Sequence, residues 1–256
     1  MSSIEYGENK LEGVSSHEDA ESKERLQLAV AAITLSGPSG TGKTSVAEVL
    51  QQRIFETTKT KIVFIKVGEL FRKKIKEISG QEMLTYADRD SEVDRWIDGV
   101  QAHEIQSSSV EHPLLLEGRL AGIIAQEQKN INPNLSVVSI LFTAYPSTRY
   151  SRILRREKKD HPDLTFKDIR KLTTKREKGD LARWREMHPQ LIGVNLFSQT
   201  NKDGAGNSIY DLVVDTNQLT VKGVADFIIN RMVDNGYLRK PESLPNQGQI
   251  FPSPNV

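Results

Sequence analysis

Hydrophobic and polar positions follow two different periods along the chain, and the places where one gives way to the other divide it into strands and helices. Short apolar runs stand at 31–36 (A-A-I-T-L-S), 61–67 (K-I-V-F-I-K-V), 112–119 (H-P-L-L-L-E-G-R), 136–144 (S-V-V-S-I-L-F-T-A) and 209–216 (I-Y-D-L-V-V-D-T). The run at 61–67 is nearly continuous, as expected of a strand covered on both faces of a parallel sheet. Between the runs the pattern changes to helical spacing: about 43–56, from 68 onward, 81–107 with Val93, Ile97 and Val100 as its buried stripe, from Pro146, about 165–187, and about 220–235. Asn235-Gly236 ends the last helix, and His161-Pro162 separates the two before it. Strands alternating with helices predict an α/β fold, a five-stranded parallel sheet flanked by helices and joined by right-handed crossovers.

The crossing from the first strand into the first helix carries candidate chemistry. Gly37-Pro38-Ser39-Gly40-Thr41-Gly42-Lys43-Thr44 matches G-x-x-x-x-G-K-[ST] and has the flanking strand and helix that the pattern requires. Glycines allow positive φ, so successive N–H groups can converge on phosphate oxygens, and the positive end of the helix adds to the field. In this reading Lys43 reaches the β and γ phosphates of ATP and the Thr44 hydroxyl takes one position on Mg²⁺. The donor-nucleotide site is therefore Gly37, Pro38, Ser39, Gly40, Thr41, Gly42, Lys43, Thr44 and Ser45.

Composition narrows the alternatives. A chain of 256 residues, 37% hydrophobic and 27% charged, suits one soluble α/β domain with tails. Residues 1–28 read as a mobile arm whose last part is expected to be helical, 29–238 as the domain and 239–256 as a tail. No apolar run is long enough for a membrane span or a signal core, so a cytoplasmic protein is expected. Without cysteine there is no disulfide or thiolate site, and the five histidines never stand at zinc-ligand spacing. The net charge of +1 hides an asymmetry: residues 146–188 hold 14 Lys or Arg against 7 Asp or Glu, and the rest of the chain 21 against 27. A basic segment of this kind suits a small anionic partner or a solvated helical face.

Other residues gain meaning from their place in the pattern. Arg72 lies one turn into the helix after the second strand, near the carboxyl edge where open parallel sheets bind ligands. Glu117 ends the third strand beside the loop, where a carboxylate can order Mg²⁺; capping a helix or pairing with a cation is its other role there. Arg119 follows it. Asp94, Asp98 and Gln101 share one side of a helix, as do Arg149, Arg152 and Arg156 on another and Arg176, Asp180 and Arg183 on a third. The last two helices, joined by a Pro-containing turn, read as a hinged cover, about 146–188, rather than a core element. A phosphate loop opposite separate arginines suits phosphoryl transfer to an acceptor already ionised near neutral pH, which needs no general base.

In five places the chain resembles the cytidylate kinases, most closely their archaeal-type branch: T-L-S-G-P-S-G-T-G-K-T, V-G-E-L-F-R, D-R-D-S-E-V-D-R-W-I-D, L-E-G-R-L-A-G and S-I-Y-D-L-V-V-D-T. The resemblance implies a nucleoside monophosphate kinase of the P-loop class with a helical lid and a monophosphate-binding insertion at about 68–110. It implies Mg²⁺-ATP as donor, CMP or dCMP as the small-molecule acceptor, no nucleic-acid or membrane partner, and a monomer. Catalytic roles fall to Lys43, Arg149, Arg152 and Arg176; acceptor binding to Arg72, Asp94, Gln101, Arg119, Arg176, Asp180 and Arg183; the metal to Thr44 and Glu117. Asp180 can accept from the cytosine amino group, and its spacing equally makes it an ion-pair partner of Arg176 or Arg183. The alternatives are another small-molecule kinase, a nucleic-acid-dependent ATPase, and a protein that binds ATP without turnover.

Overall fold

The computed structural model describes residues 25–79, 91–191, 195–198, 202, 206 and 208–241. Most of the proposed arm and tail, and the start of the acidic segment at 81–90, lie outside the described residues. Five strands form one parallel sheet: β2 (Ala32–Ser36), β3 (Val63–Lys66), β4 (Leu114–Glu117), β5 (Val137–Thr143) and β6 (Leu212–Asp215). Their order across the sheet is β3-β4-β2-β5-β6. The strand leading into the phosphate loop is thus central, and the chain crosses it between β4 and β5. That reversal opens a crevice at the carboxyl edge, directly over the loop.

Helices cover both faces. On one side α1 (Lys43–Thr58) and α7 (Val221–Asp234) pack over Ile33, Leu35, Leu115, Ile140 and Phe142. On the other, α2 (Val67–Ser79), α3 (Ser91–Ser107), α4 (Ala121–Ile131) and the second half of α6 (Phe166–Met187) cover Ala32, Leu114, Leu116 and Leu141. Central strands therefore bury every residue, and the apolar content of the runs drives the layers together.

Three elements differ from the pattern's expectation. The last part of the arm is extended, not helical: β1 (Gln27–Leu28) pairs antiparallel with β7 (Leu238–Arg239) beside α7. The run at 61–67 is an edge strand with Val63 exposed, since β3 has a neighbour on one side only. And α6 is no mere cover. Pro146 starts α5 (Pro146–Glu157), and a capping box of Thr165 and Asp168 starts α6. The arms of this hairpin meet through Tyr150, whose ring lies edge-on to Phe166 at 6.0 Å. Further along, however, α6 buries Trp184 in the main core beside Leu120, Leu191 and Leu196. One end of the helix is anchored in the domain while the other reaches over the loop.

Candidate active site

The phosphate loop is built as its glycines require. Gly37, Gly40 and Gly42 have φ of 135°, 83° and 87°, in the region closed to most side chains. Space excludes a side chain as well: a Cβ on Gly40 would lie 2.6 Å from the Arg149 carbonyl oxygen, and one on Gly37 would collide with that of Phe142. Gly42 is the N-cap of α1 and offers no side-chain acceptor, so the first N–H groups of α1 are left for a ligand. Lys43 folds back over the loop, donating to the carbonyls of Gly37 at 2.9 Å and Pro38 at 3.1 Å.

Lys43 is 6% exposed, and burial pushes its ammonium down from 10.5 to about 8. Glu117, 3.8 Å away, opposes this, while Arg119, Arg149 and Arg176 add to it. Between about 8 and 10.5 the unfolded chain therefore holds a proton that the folded chain lacks, and this group's contribution to stability is lost as pH falls through about 8. A triphosphate reverses the local field and restores the ammonium. Binding of ATP at pH 9 is expected to take up close to one proton, and affinity to fall as pH rises through 8; calorimetry in buffers of different ionisation enthalpy measures the uptake, and Lys43→Ala should abolish it.

Glu117 at the end of β4 accepts from the Thr44 hydroxyl at 3.1 Å. Two oxygen ligands from separate elements, with Lys43 beside one of them, fit a Mg²⁺ ion, which takes few protein ligands and keeps phosphate oxygens and water. No group of three or more His, Cys, Asp or Glu stands at metal-binding distance among the described residues.

A cleft of about 1710 Å³ runs from Ser39, Gly40, Thr41, Gly42, Lys43, Thr44 and Ser45 to Arg72, Glu117, Arg119, Arg152, Arg176, Asp180 and Arg183. The arginines predicted to meet an acceptor thus share one cavity with the phosphate loop. Arg72 is exposed at its rim, its guanidinium over Gly68. Asp180, 1% exposed, is the hub of the far wall: Arg119 pairs with its Oδ2, Arg183 donates to its Oδ1 at 2.5 Å, and Arg176 Nε lies 3.6 Å from Oδ2. Arg119 also lies over two rings, 4.6 Å from the centre of Trp184 and 5.9 Å from that of Phe197. Both Asp180 oxygens are therefore occupied by guanidinium groups.

Of the remaining predicted residues, Asp94, Gln101 and Arg149 stand behind the cleft lining, and Arg152 is part of it. Asp94 is buried and accepts from Arg183 Nε at 2.6 Å, and Gln101 is buried with Nε2 donating to Asp98 at 3.1 Å. Arg149 donates from Nε to the Ser39 carbonyl at 2.8 Å and pairs with Glu177; with Pro38 it lines a separate cavity of about 350 Å³. Arg152 binds both the hydroxyl (3.0 Å) and the carbonyl (2.6 Å) of Thr216, whose hydroxyl also donates to the Thr41 carbonyl at 2.9 Å. Glu177 and Thr216 escaped the sequence reading. A glutamate one place from Arg176 and a threonine after a strand carry no signal of their own.

Residues 33–172 match the family described as AAA domain, the segment that holds the phosphate loop, Glu117 and Arg119. The chain is 32% identical over 205 residues to the cytidylate kinase of Methanococcus maripaludis (strain C5 / ATCC BAA-1333), covering 79% of this chain and 97% of that one. It is 30% identical over 199 residues to the cytidylate kinase of Archaeoglobus fulgidus, covering 77% and 92%. Among solved structures, a gluconokinase from Sinorhizobium meliloti 1021 is similar at a TM-score of 0.49 and 14% identity, over 81% of this chain and 95% of that one. No helix among the described residues is long and apolar enough to cross a membrane. Spanning nearly the full length of its archaeal relatives at this identity, the chain belongs to the cytidylate kinase family.

Proposed function

We propose that the protein transfers the γ-phosphoryl group of Mg²⁺-ATP to CMP or dCMP, giving the diphosphate. The observation that carries this reading is the single cleft in which the phosphate loop faces Arg119, Arg176 and Arg183, arrayed around Asp180. Lys43 leaves its carbonyl partners for the β and γ phosphates, and the N–H groups of the loop orient the triphosphate. Arg72 and Arg119 hold the acceptor phosphate. Its oxygen is already ionised near neutral pH, so alignment and charge neutralisation carry the reaction. Arg149, on the Ser39 carbonyl, Arg152, which also reaches the Gly40 carbonyl at 3.5 Å, and Arg176 stabilise charge on the group in transit. Mg²⁺ when bound offsets the charge of the phosphate oxygens, and Thr44 and Glu117 are the residues to hold it, directly or through water. The reading takes the protein to act as a monomer.

Incubation of the protein with Mg²⁺-ATP and each monophosphate in turn should release ADP fastest with CMP or dCMP. Activity confined to AMP or to a non-nucleotide alcohol would move the chain to another acceptor class. ATP hydrolysis that depends on nucleic acid and weakens steeply with salt would replace the reading altogether. Glu117→Gln keeps the size of the side chain and removes its charge; we expect the Mg²⁺ concentration for half-maximal rate to rise about tenfold, since loss of one coordinating or orienting group costs about that much affinity. A Mg²⁺ titration at saturating ATP measures it.

A further inference from the structure

The end of α6 carries a second charged assembly. His188 directly follows the helix as its C-cap, with Nε2 3.0 Å from Asp98 Oδ2 on α3 and Nδ1 3.0 Å from Glu127 Oε1 on α4. Ionised carboxylates only accept hydrogen bonds, so with both carboxylates ionised each ring nitrogen donates and the ring carries a positive charge; burial pushes Asp98 up, and the hydrogen bond from His188 acts against that. The bonds to Asp98 and Glu127 raise its pKa from 6.5 to about 10, against the opposing effect of burial. The positive charge also lies at the negative end of the helix dipole.

The setting gives this bridge a reach beyond its own contacts. About one turn earlier on both helices, Arg183 donates to Asp94. The helices α3 and α6 are therefore fastened by two rungs, Arg183–Asp94 and His188–Asp98, and the second extends through Glu127 to α4. That helix packs against β2 and β5, the strands beside the phosphate loop. Asp98 spends its other oxygen on Gln101, which holds the carboxylate in place. We propose that His188 is a positioning residue for the acceptor side of the reaction: by pinning the end of α6 to α3 and α4, it fixes the aim of Asp180 and Arg183 into the cleft. This rests on the reading of α6 as an acceptor-binding helix.

The test compares His188→Gln, which loses the charge and can serve only one carboxylate, with His188→Arg, which keeps the charge and several donors. A misplacement of about 1 Å can cost up to about 100-fold. We expect His188→Gln to raise KM for CMP about tenfold while KM for ATP stays within about twofold, and His188→Arg to recover most of the loss. A uniform loss of stability would not separate the two substrates. Equal changes in both KM values, an unchanged KM for CMP, or an arginine variant as poor as glutamine would overturn the proposal. Should the glutamine variant not fold, two further measurements decide. The ¹⁵N spectrum of His188 in the unmodified protein at pH 8 should report both ring nitrogens protonated, and a neutral ring overturns the proposal. Glu127→Gln should raise KM for CMP in the same direction by a smaller factor, and no selective change overturns it. Wild-type protein that fails to use CMP would sink the acceptor reading itself, an outcome distinct from normal CMP turnover without the selective loss.

Discussion

Lys43→Ala should lower kcat by about 10³-fold and leave the thermal midpoint equal to or above that of the wild type, since one fixed positive group facing developing phosphoryl charge is worth roughly that factor. The two halves of this expectation have one cause. Lys43 is an ammonium with burial and three arginines acting against its charge and Glu117 and two carbonyls in its favour. Burying it is unfavourable in the empty protein and becomes favourable when phosphates arrive, which is how a binding residue differs from a structural one. Its removal relieves the empty state and deprives the occupied one. Steady-state kinetics with CMP, together with thermal unfolding with and without ATP, would measure both. Retention of more than about a tenth of wild-type kcat, or a large fall in midpoint, would remove Lys43 from the reaction or make it a structural residue.

Much of the fold and part of the site could be read from the residues because local rules and global packing agree there. The five apolar runs are the five strands, and the glycine spacing requires the loop, whose backbone angles no other residue type readily adopts. Where the reading stopped short, the decisive partner is remote in sequence or the element is too small to have a period. Gln27–Leu28 and Leu238–Arg239 are two residues each and pair across the whole domain. His188 looks like a lone histidine because its carboxylates stand 90 and 61 positions away. The helix α6 reads as a charged cover because one of its most deeply buried residues is Asp180, and a pattern of hydrophobicity cannot register a carboxylate that is buried among guanidinium groups. For the same reason the pattern does not register that Asp94 is buried and accepts from Arg183.

Asp180→Ala should produce the largest combined loss of stability and acceptor use. Removing a buried partner of several cations leaves their charges uncompensated, at a cost of about 3–5 kcal/mol. For a chain of this size that lowers the midpoint by roughly 10 °C. With Arg119 and Arg183 no longer held, kcat/KM for CMP should fall about 10²- to 10³-fold. Asp180→Asn separates the two roles that remain open for the carboxylate. If Asp180 aims arginines, the amide loses the charge that holds them, and CMP and UMP should suffer alike. If instead it accepts from the cytosine amino group, the amide retains an acceptor and gains a donor, and the ratio of CMP to UMP should shift toward UMP. Because guanidinium groups hold both of its oxygens, we expect the ratio to change less than about threefold while both rates fall.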